Sequence, residues 1–78
     1  MNYDLAIMAL EGLARAPMTL RTEGNEVLLE GEPASFKELA RLCLLLGGVQ
    51  TAEDTFELTP GVHITEESPL LRLRLKVE

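Results

Sequence analysis

The segment from Ser35 to Leu46 carries the signals that most restrict how this chain can fold. Its apolar residues recur three or four positions apart, which is typical of an amphipathic α-helix with one buried face. Ser35 and Glu38 have the spacing of a capping box, in which both side chains bind free amides of the first turn. Gly47 follows where a left-handed C-cap is expected. The predicted core face is Phe36, Leu39, Ala40, Cys43 and Leu46.

Alternating segments around this helix predict β-strands, and another helix is predicted before them. Residues 2–16 are predicted to be a helix that ends at Pro17, with a strand at Leu5–Leu10 as the alternative. A turn at Glu23-Gly24-Asn25 predicts a hairpin. The alternating segments are Met18–Thr22, Glu26–Glu30, Thr55–Leu58, Val62–Thr65 and Leu71–Val77.

These elements predict one small two-layer α+β domain that spans residues 1–78 in α-β-β-α-β-β order. Two hairpins are expected to form an antiparallel sheet, with the central helix 35–47 packed on one face. The N-terminal helix would cover an adjacent region or a partner subunit. A lone cysteine allows no internal disulfide, and no Cys/His cluster is present to bind zinc. Small domains without such support often gain stability by oligomerisation.

The charge balance restricts the classes of partner. Seven basic residues against 13 acidic ones give a net charge of −6, which disfavours binding to nucleic acids and to anionic membranes. The apolar run Leu42–Val49 is too short to cross a bilayer, and the N-terminus lacks the pattern of a signal peptide. With a single cysteine as well, we expect a cytoplasmic protein.

Groups capable of catalysis occur singly in the sequence. His63 is expected to be a surface residue of a short strand, and Cys43 a small buried hydrophobe. The paired carboxylates lie in or beside predicted turns, without partners at metal-ligand spacing. Because catalysis needs several positioned groups, we expect no enzyme and no cofactor or metal. A small hydrolase or redox protein that uses His63 or Cys43 is a competing hypothesis.

Two apolar positions are left without a role inside one small sheet. Leu42 borders the predicted core face, whereas Leu45 lies on the solvent side of the same helical turn. If Val27 and Leu29 face inward, Leu28 points to the opposite side and needs cover. These positions favour contact with another protein or with a second copy of this chain.

The C-terminal strand carries three cations in a row, Arg72, Arg74 and Lys76, spaced about 6.5–7 Å apart on one face. The row could dock an acidic partner. It could instead be neutralised by glutamates of neighbouring strands, or protect an edge strand from aggregation. The predicted partner-contact residues are Leu45, Leu42, Leu28, Arg72, Arg74 and Lys76.

From about residue 24 to residue 77 the pattern resembles immunity family thirty-two of the bacterial polymorphic toxin systems. The motifs that carry the resemblance are Leu28-Leu29-Glu30-Gly31, the helix from Ser35 that closes on Gly47-Gly48, Phe56-Glu57-Leu58, and Ser68-Pro69-Leu70-Leu71. The resemblance implies a small acidic protein that binds and blocks a toxin. It supplies no binding residues, because the loop Val49–Asp54 lacks the histidines typical of that family.

Two functional hypotheses therefore lead. The first is a non-enzymatic binding protein, an immunity-like inhibitor of a toxin. The second is a self-associating structural or accessory subunit.

Overall fold

The computed structural model describes residues 3–48 and 55–76. Its elements are α1 (Tyr3–Arg15), β1 (Thr19–Glu23), β2 (Glu26–Glu30), α2 (Pro33–Gly47), β3 (Thr55–Leu58) and β4 (Leu71–Arg74). The predicted α+β class and α-β-β-α-β-β order are confirmed, and the alternative strand at Leu5–Leu10 is wrong. The expected loop at 49–54 and Val77 lie outside the described residues.

The four strands form two separate two-stranded antiparallel sheets, where a single sheet was expected. The β1–β2 sheet turns at Gly24-Asn25, with Gly24 at φ +59°, as two-residue hairpins with glycine at their first central position require. In the other sheet, β3 and β4 are joined by residues 59–70, called here the β3–β4 connection. The predicted strand Val62–Thr65 is wrong, because only Ile64 of this stretch makes isolated bridges.

The β3–β4 connection covers the outer edge of β1 near its start. The Met18 amide donates to the His63 carbonyl (3.2 Å), and the Thr65 amide donates to the Met18 carbonyl (2.8 Å). Two residues after Met18, the Leu20 amide donates to the Ser68 hydroxyl (3.0 Å). The Ser68 hydroxyl thus takes the place that the carbonyl of a neighbouring strand would have as acceptor for the Leu20 amide. These bonds satisfy edge amides that would otherwise be open to pairing with another strand.

The core is shared by both helices, β3 and the residues just before β1 and inside the connection. Its buried members are Ala6, Ala9, Leu13, Met18, Leu42, Leu46, Phe56, Leu58 and Ile64. Complete burial of a leucine or isoleucine side chain contributes about 1.5–3 kcal/mol. Since three α1 residues belong to this cluster, α1 packs on the core of its own chain. Neither helix of the described residues is long and apolar enough to span a membrane.

The predicted capping box is wrong. Helix α2 begins two residues earlier, at Pro33, after Glu32 in extended conformation, and proline suits the first helical position because it needs no amide donor there. Ser35 is fully buried, and its hydroxyl donates to the Ala16 carbonyl at 2.6 Å. At the other end the left-handed cap predicted at Gly47 is also wrong, because Gly47 lies inside α2 without positive φ and the C-cap residue, Gly48, has φ −88°.

The buried face of α2 is rotated from the predicted one by about one residue. Ser35, Leu42 and Leu46 are buried, whereas Phe36 is 43% exposed and Cys43 is exposed. Both faces have helical spacing, so periodicity alone does not distinguish them. The observed face buries Leu42 and Leu46 in the core and places Ser35 beside the end of α1, where its hydroxyl reaches the Ala16 carbonyl.

Candidate interaction surface

Helices α1 and α2 lie side by side and run antiparallel. Leu5 and Met8, near the start of α1, share a groove with Leu44 and other residues near the end of α2. Further along, Gly12 of α1 faces Glu38 in the first half of α2. The two helices therefore present one continuous outer seam.

This seam contains an open groove of about 310 Å³, called here the α1–α2 groove. It is lined by Leu5, Met8, Arg41, Leu44 and Leu45. Leu44 is 77% exposed, Met8 57% and Leu5 48%, while Leu45 is half-buried against the core. Four of the five lining side chains are thus apolar, and three of them are largely open to solvent. Contiguous exposed apolar surface of this kind marks interaction sites more often than scattered single residues do.

Arg41 is the one charged residue of the lining, and it is held at the rim. Its guanidinium pairs with the Glu38 carboxylate at 3.1 Å. The Glu38 side chain is only 18% exposed because it lies over Gly12, where a Cβ atom would stand 2.8 Å from it. The missing side chain of Gly12 therefore allows Glu38 to lie between the helices. The Arg41 side chain remains 64% exposed, so its guanidinium can donate hydrogen bonds to a further carboxylate.

The structure places the predicted contact leucines in different settings. Leu45 lines the groove, but Leu42 is fully buried in the core and offers no surface to a partner. Leu28 is half-buried on β2, opposite Arg21 of β1. Its neighbour Val27 is 71% exposed, so the expectation that Val27 faces inward is wrong.

Two residues of the basic row, Arg72 and Arg74, lie on β4, whereas Lys76 follows the end of this strand. Arg72 pairs with Glu57 of the neighbouring strand at 2.7 Å, as the neutralised interpretation predicts. Arg74 and Lys76 are exposed, and neither forms an ion pair within the described part of the chain. Because none of the three lines the groove, the predicted contact residues do not form one site.

His63 and Cys43 both differ from expectation. His63 is half-buried in a turn, and its Nδ1 accepts a hydrogen bond from the Thr59 amide at 3.1 Å. Partial burial lowers the pKa of His63 from its ordinary 6.5. Cys43 is exposed on α2, so its predicted burial is wrong. Among residues 3–48 and 55–76, no cluster of His, Cys, Asp or Glu has the geometry to hold a metal ion.

Of the groove residues only Leu45 was predicted as a partner contact, so sequence reasoning missed four of them, Leu5, Met8, Arg41 and Leu44. Their exposure next to one another depends on how the two helices pair, so neither segment contains a signal for it. Exposed apolar residues on two helices that are predicted to pack together would have been the nearest available clue.

Comparison with protein-family models, with curated proteins and with solved structures finds no match to this chain in any of the three. The resemblance to an immunity family therefore stays a prediction.

Proposed function

We propose that this chain is a non-enzymatic protein-binding protein that docks its partner on the α1–α2 groove. The observation that carries the proposal is the exposure of Leu5, Met8 and Leu44 on one face of a chain that otherwise has a well-defined core. An apolar centre with an arginine at its rim is the usual composition of a protein–protein interface.

The shape of the groove favours a protein over a small molecule. Small-molecule sites enclose most of the ligand surface, whereas this groove is open along the seam between two helices. An apolar side chain of a partner would fit between Met8 and Leu44, and an acidic neighbour on that partner would reach Arg41. A helix laid along such a seam is a common mode of recognition.

The class of binding protein that we propose is an immunity-like inhibitor of a toxin, cytoplasmic and without a cofactor. The sequence resemblance supports it, and the net charge of −6 would steer a basic partner toward the chain at long range. The contact itself would depend on the apolar groove, so charge would govern the rate of association more than its final strength.

The test is calorimetric titration against the product of the neighbouring reading frame, if that frame encodes a large toxin. We expect micromolar or tighter binding, which Leu44→Gln weakens by about tenfold or more because it removes an apolar contact at the centre of the groove. Val27→Thr is the matched control, since Val27 is similarly exposed but lies on β2. Equal affinity of the two variants would contradict the proposed surface, and affinity weaker than micromolar would contradict the proposed partner.

A self-associating accessory subunit is the second candidate function. The exposure of Leu5, Met8 and Leu44 favours it as well, because a second copy of the chain would remove these apolar side chains from water.

A further inference from the structure

We infer that the turn of residues 59–64, called here the His63 turn, is a pH-sensitive latch on the edge of β1, which protonation of His63 in mild acid releases. The turn lies on the β3–β4 connection, and none of its residues lines the α1–α2 groove. The inference is therefore independent of the proposed function.

The first argument is the hydrogen bond that closes the turn. The Thr59 amide donates to Nδ1 of His63 at 3.1 Å, and the Thr59 carbonyl accepts from the amides of Val62 and His63, each at 3.0 Å. Because a backbone amide can only donate, Nδ1 is the unprotonated nitrogen and the ring is the neutral Nε2–H tautomer. A further proton would bind to Nδ1 and set two N–H donors against each other. The closed turn therefore accepts only the neutral ring.

The second argument is that the same residue covers the edge of β1. The His63 carbonyl accepts the Met18 amide at 3.2 Å, and Met18 is fully buried, so water does not reach this amide while the turn is closed. A charged ring cannot be hydrated in its half-buried position. Protonation therefore turns His63 outward, and this movement takes its carbonyl away from Met18 and opens the start of the strand edge.

The third argument is that no neighbouring charge holds the protonated ring in place. His63 forms no ion pair among residues 3–48 and 55–76. The acidic groups of its own connection are Glu67 and Glu66, whose Oε1 lies 4.0 Å from the place that a Cβ atom of Gly61 would take. The charged side chains of β1 and β3 already have partners within the sheets: Arg21 pairs with Glu23 and Glu30, and Glu57 pairs with Arg72.

The pH range of the release follows from the difference between the closed and the open turn. In the open turn the ring is hydrated and titrates near its ordinary 6.5, whereas burial lowers the pKa of His63 in the closed turn. Above pH 6.5 both forms are neutral, so the latch stays closed. As the pH falls from there to the lower pKa of the closed turn, opening increases by up to about tenfold per pH unit, because the open turn alone binds the proton.

Hydrogen exchange of the full chain, resolved by residue with nuclear magnetic resonance at about pH 7.5 and about pH 5, tests the inference. After correction for intrinsic exchange, we expect the protection of the Thr59 and Met18 amides to fall by about two- to tenfold, the factor that one net hydrogen bond contributes. A series from 0 to about 1 M urea should leave this acid-induced exchange almost unchanged, because a local opening exposes little surface.

The amides of Thr19 and Arg21 are the matched controls inside the same chain. Amides alternate between the two edges of a strand, so these two face β2 whereas those of Met18 and Leu20 face the connection. Their exchange should depend on urea as global unfolding does. If Met18 shows the same urea dependence as Thr19 and Arg21 at about pH 5, the latch is overturned, because His63 would then act only on the stability of the whole fold.

His63→Asn is the matched variant, since asparagine can accept the Thr59 amide but does not titrate. Its Met18 amide should keep the same protection at both pH values. A fall equal to that of the parent chain would overturn the inference, because another group would then be the one that titrates. Circular dichroism verifies that the variant folds, and the urea comparison within the parent chain decides the question if it does not.

Discussion

Replacement of Ser35 tests whether this residue caps α2 or joins α2 to the end of α1. In the structure its side chain is fully buried, and its hydroxyl donates to the Ala16 carbonyl at 2.6 Å. Ser35→Ala removes that donor and leaves the carbonyl in a partly buried position without it. The substitution tests the strength of this contact, and Ser35→Asp tests its nature.

The expected cost of Ser35→Ala follows from two opposing terms. Loss of the hydrogen bond leaves the Ala16 carbonyl without its donor, which lowers the free energy of unfolding by about 1–3 kcal/mol. The better helix propensity of alanine offsets about 0.5 kcal/mol of this, because Ser35 lies inside α2. The net loss of about 0.5–2.5 kcal/mol corresponds to a fall in Tm of about 2–20 °C for a domain of this size.

Ser35→Asp distinguishes the two roles most sharply. At a helix N-cap, aspartate is as good as serine, so a capping role predicts almost no change. In the observed site an ionised carboxylate would be buried and could not donate to the Ala16 carbonyl, so we expect a loss of at least about 3 kcal/mol.

Urea denaturation at pH 7, followed by far-ultraviolet circular dichroism, measures both variants. If the free energy of unfolding of Ser35→Asp lies within about 0.5 kcal/mol of that of the parent chain, the buried contact is refuted and a cap is favoured. Glu38→Gln completes the comparison, because a capping box couples it to Ser35. The structure instead gives Glu38 the Arg41 partner, so the effects of Ser35→Ala and Glu38→Gln should add.

Two further predictions concern a close approach of the backbone and a titrating turn. Gly31→Ala should destabilise the chain by about 1–3 kcal/mol, because the new Cβ would lie 2.9 Å from the buried Met18 methyl; Gly47→Ala, with open space around it, should be neutral or stabilising by up to about 1 kcal/mol. His63→Asn should reduce the loss of stability between about pH 8 and pH 5, because asparagine can still accept the Thr59 amide but does not titrate.

The sign of the His63 effect follows from its lowered pKa. As the pH falls, the unfolded chain protonates at the ordinary 6.5, before the folded chain does. Stability from this residue is therefore complete above that pH and is lost as the pH falls through the lower folded pKa. Thermal melts across the range measure the effect: equal pH slopes for the two proteins would contradict it. For Gly31→Ala and Gly47→Ala, urea denaturation gives the free energy of unfolding. Equal changes in the two variants would show that the contact of Gly31 with Met18 is not tight.

The order of elements could be predicted because each signal is local. Alternation in Leu71–Val77 predicts a strand with leucines on one side, and β4 confirms it over Leu71–Arg74, where the leucines are half-buried and the arginines exposed; the strand ends before Leu75. Gly24 predicts the first hairpin, because a tight turn needs positive φ at a residue without a side chain. The helical spacing in residues 35–46 predicts α2, although not where it begins.

The candidate site could be predicted only in part. Leu45 was singled out, and it lines the groove, whereas Leu42 lies in the core. Leu28, Arg72 and Arg74 lie on the sheets, and Lys76 lies just after β4. The sequence contains more apolar residues than one buried face of each helix needs, but it does not indicate which of them are buried in the core.

Sequence alone thus determined the elements, their order and the periodicity that makes each one amphipathic, because these depend on neighbours a few residues away. Tertiary structure decided which face of α2 is buried, what Ser35 binds and which leucines remain exposed. Those choices depend on the end of α1 meeting the start of α2, and on Gly12 and Gly31 admitting close neighbours from distant parts of the chain. The groove exists because two helices far apart in sequence leave their surplus apolar residues on the same outer seam.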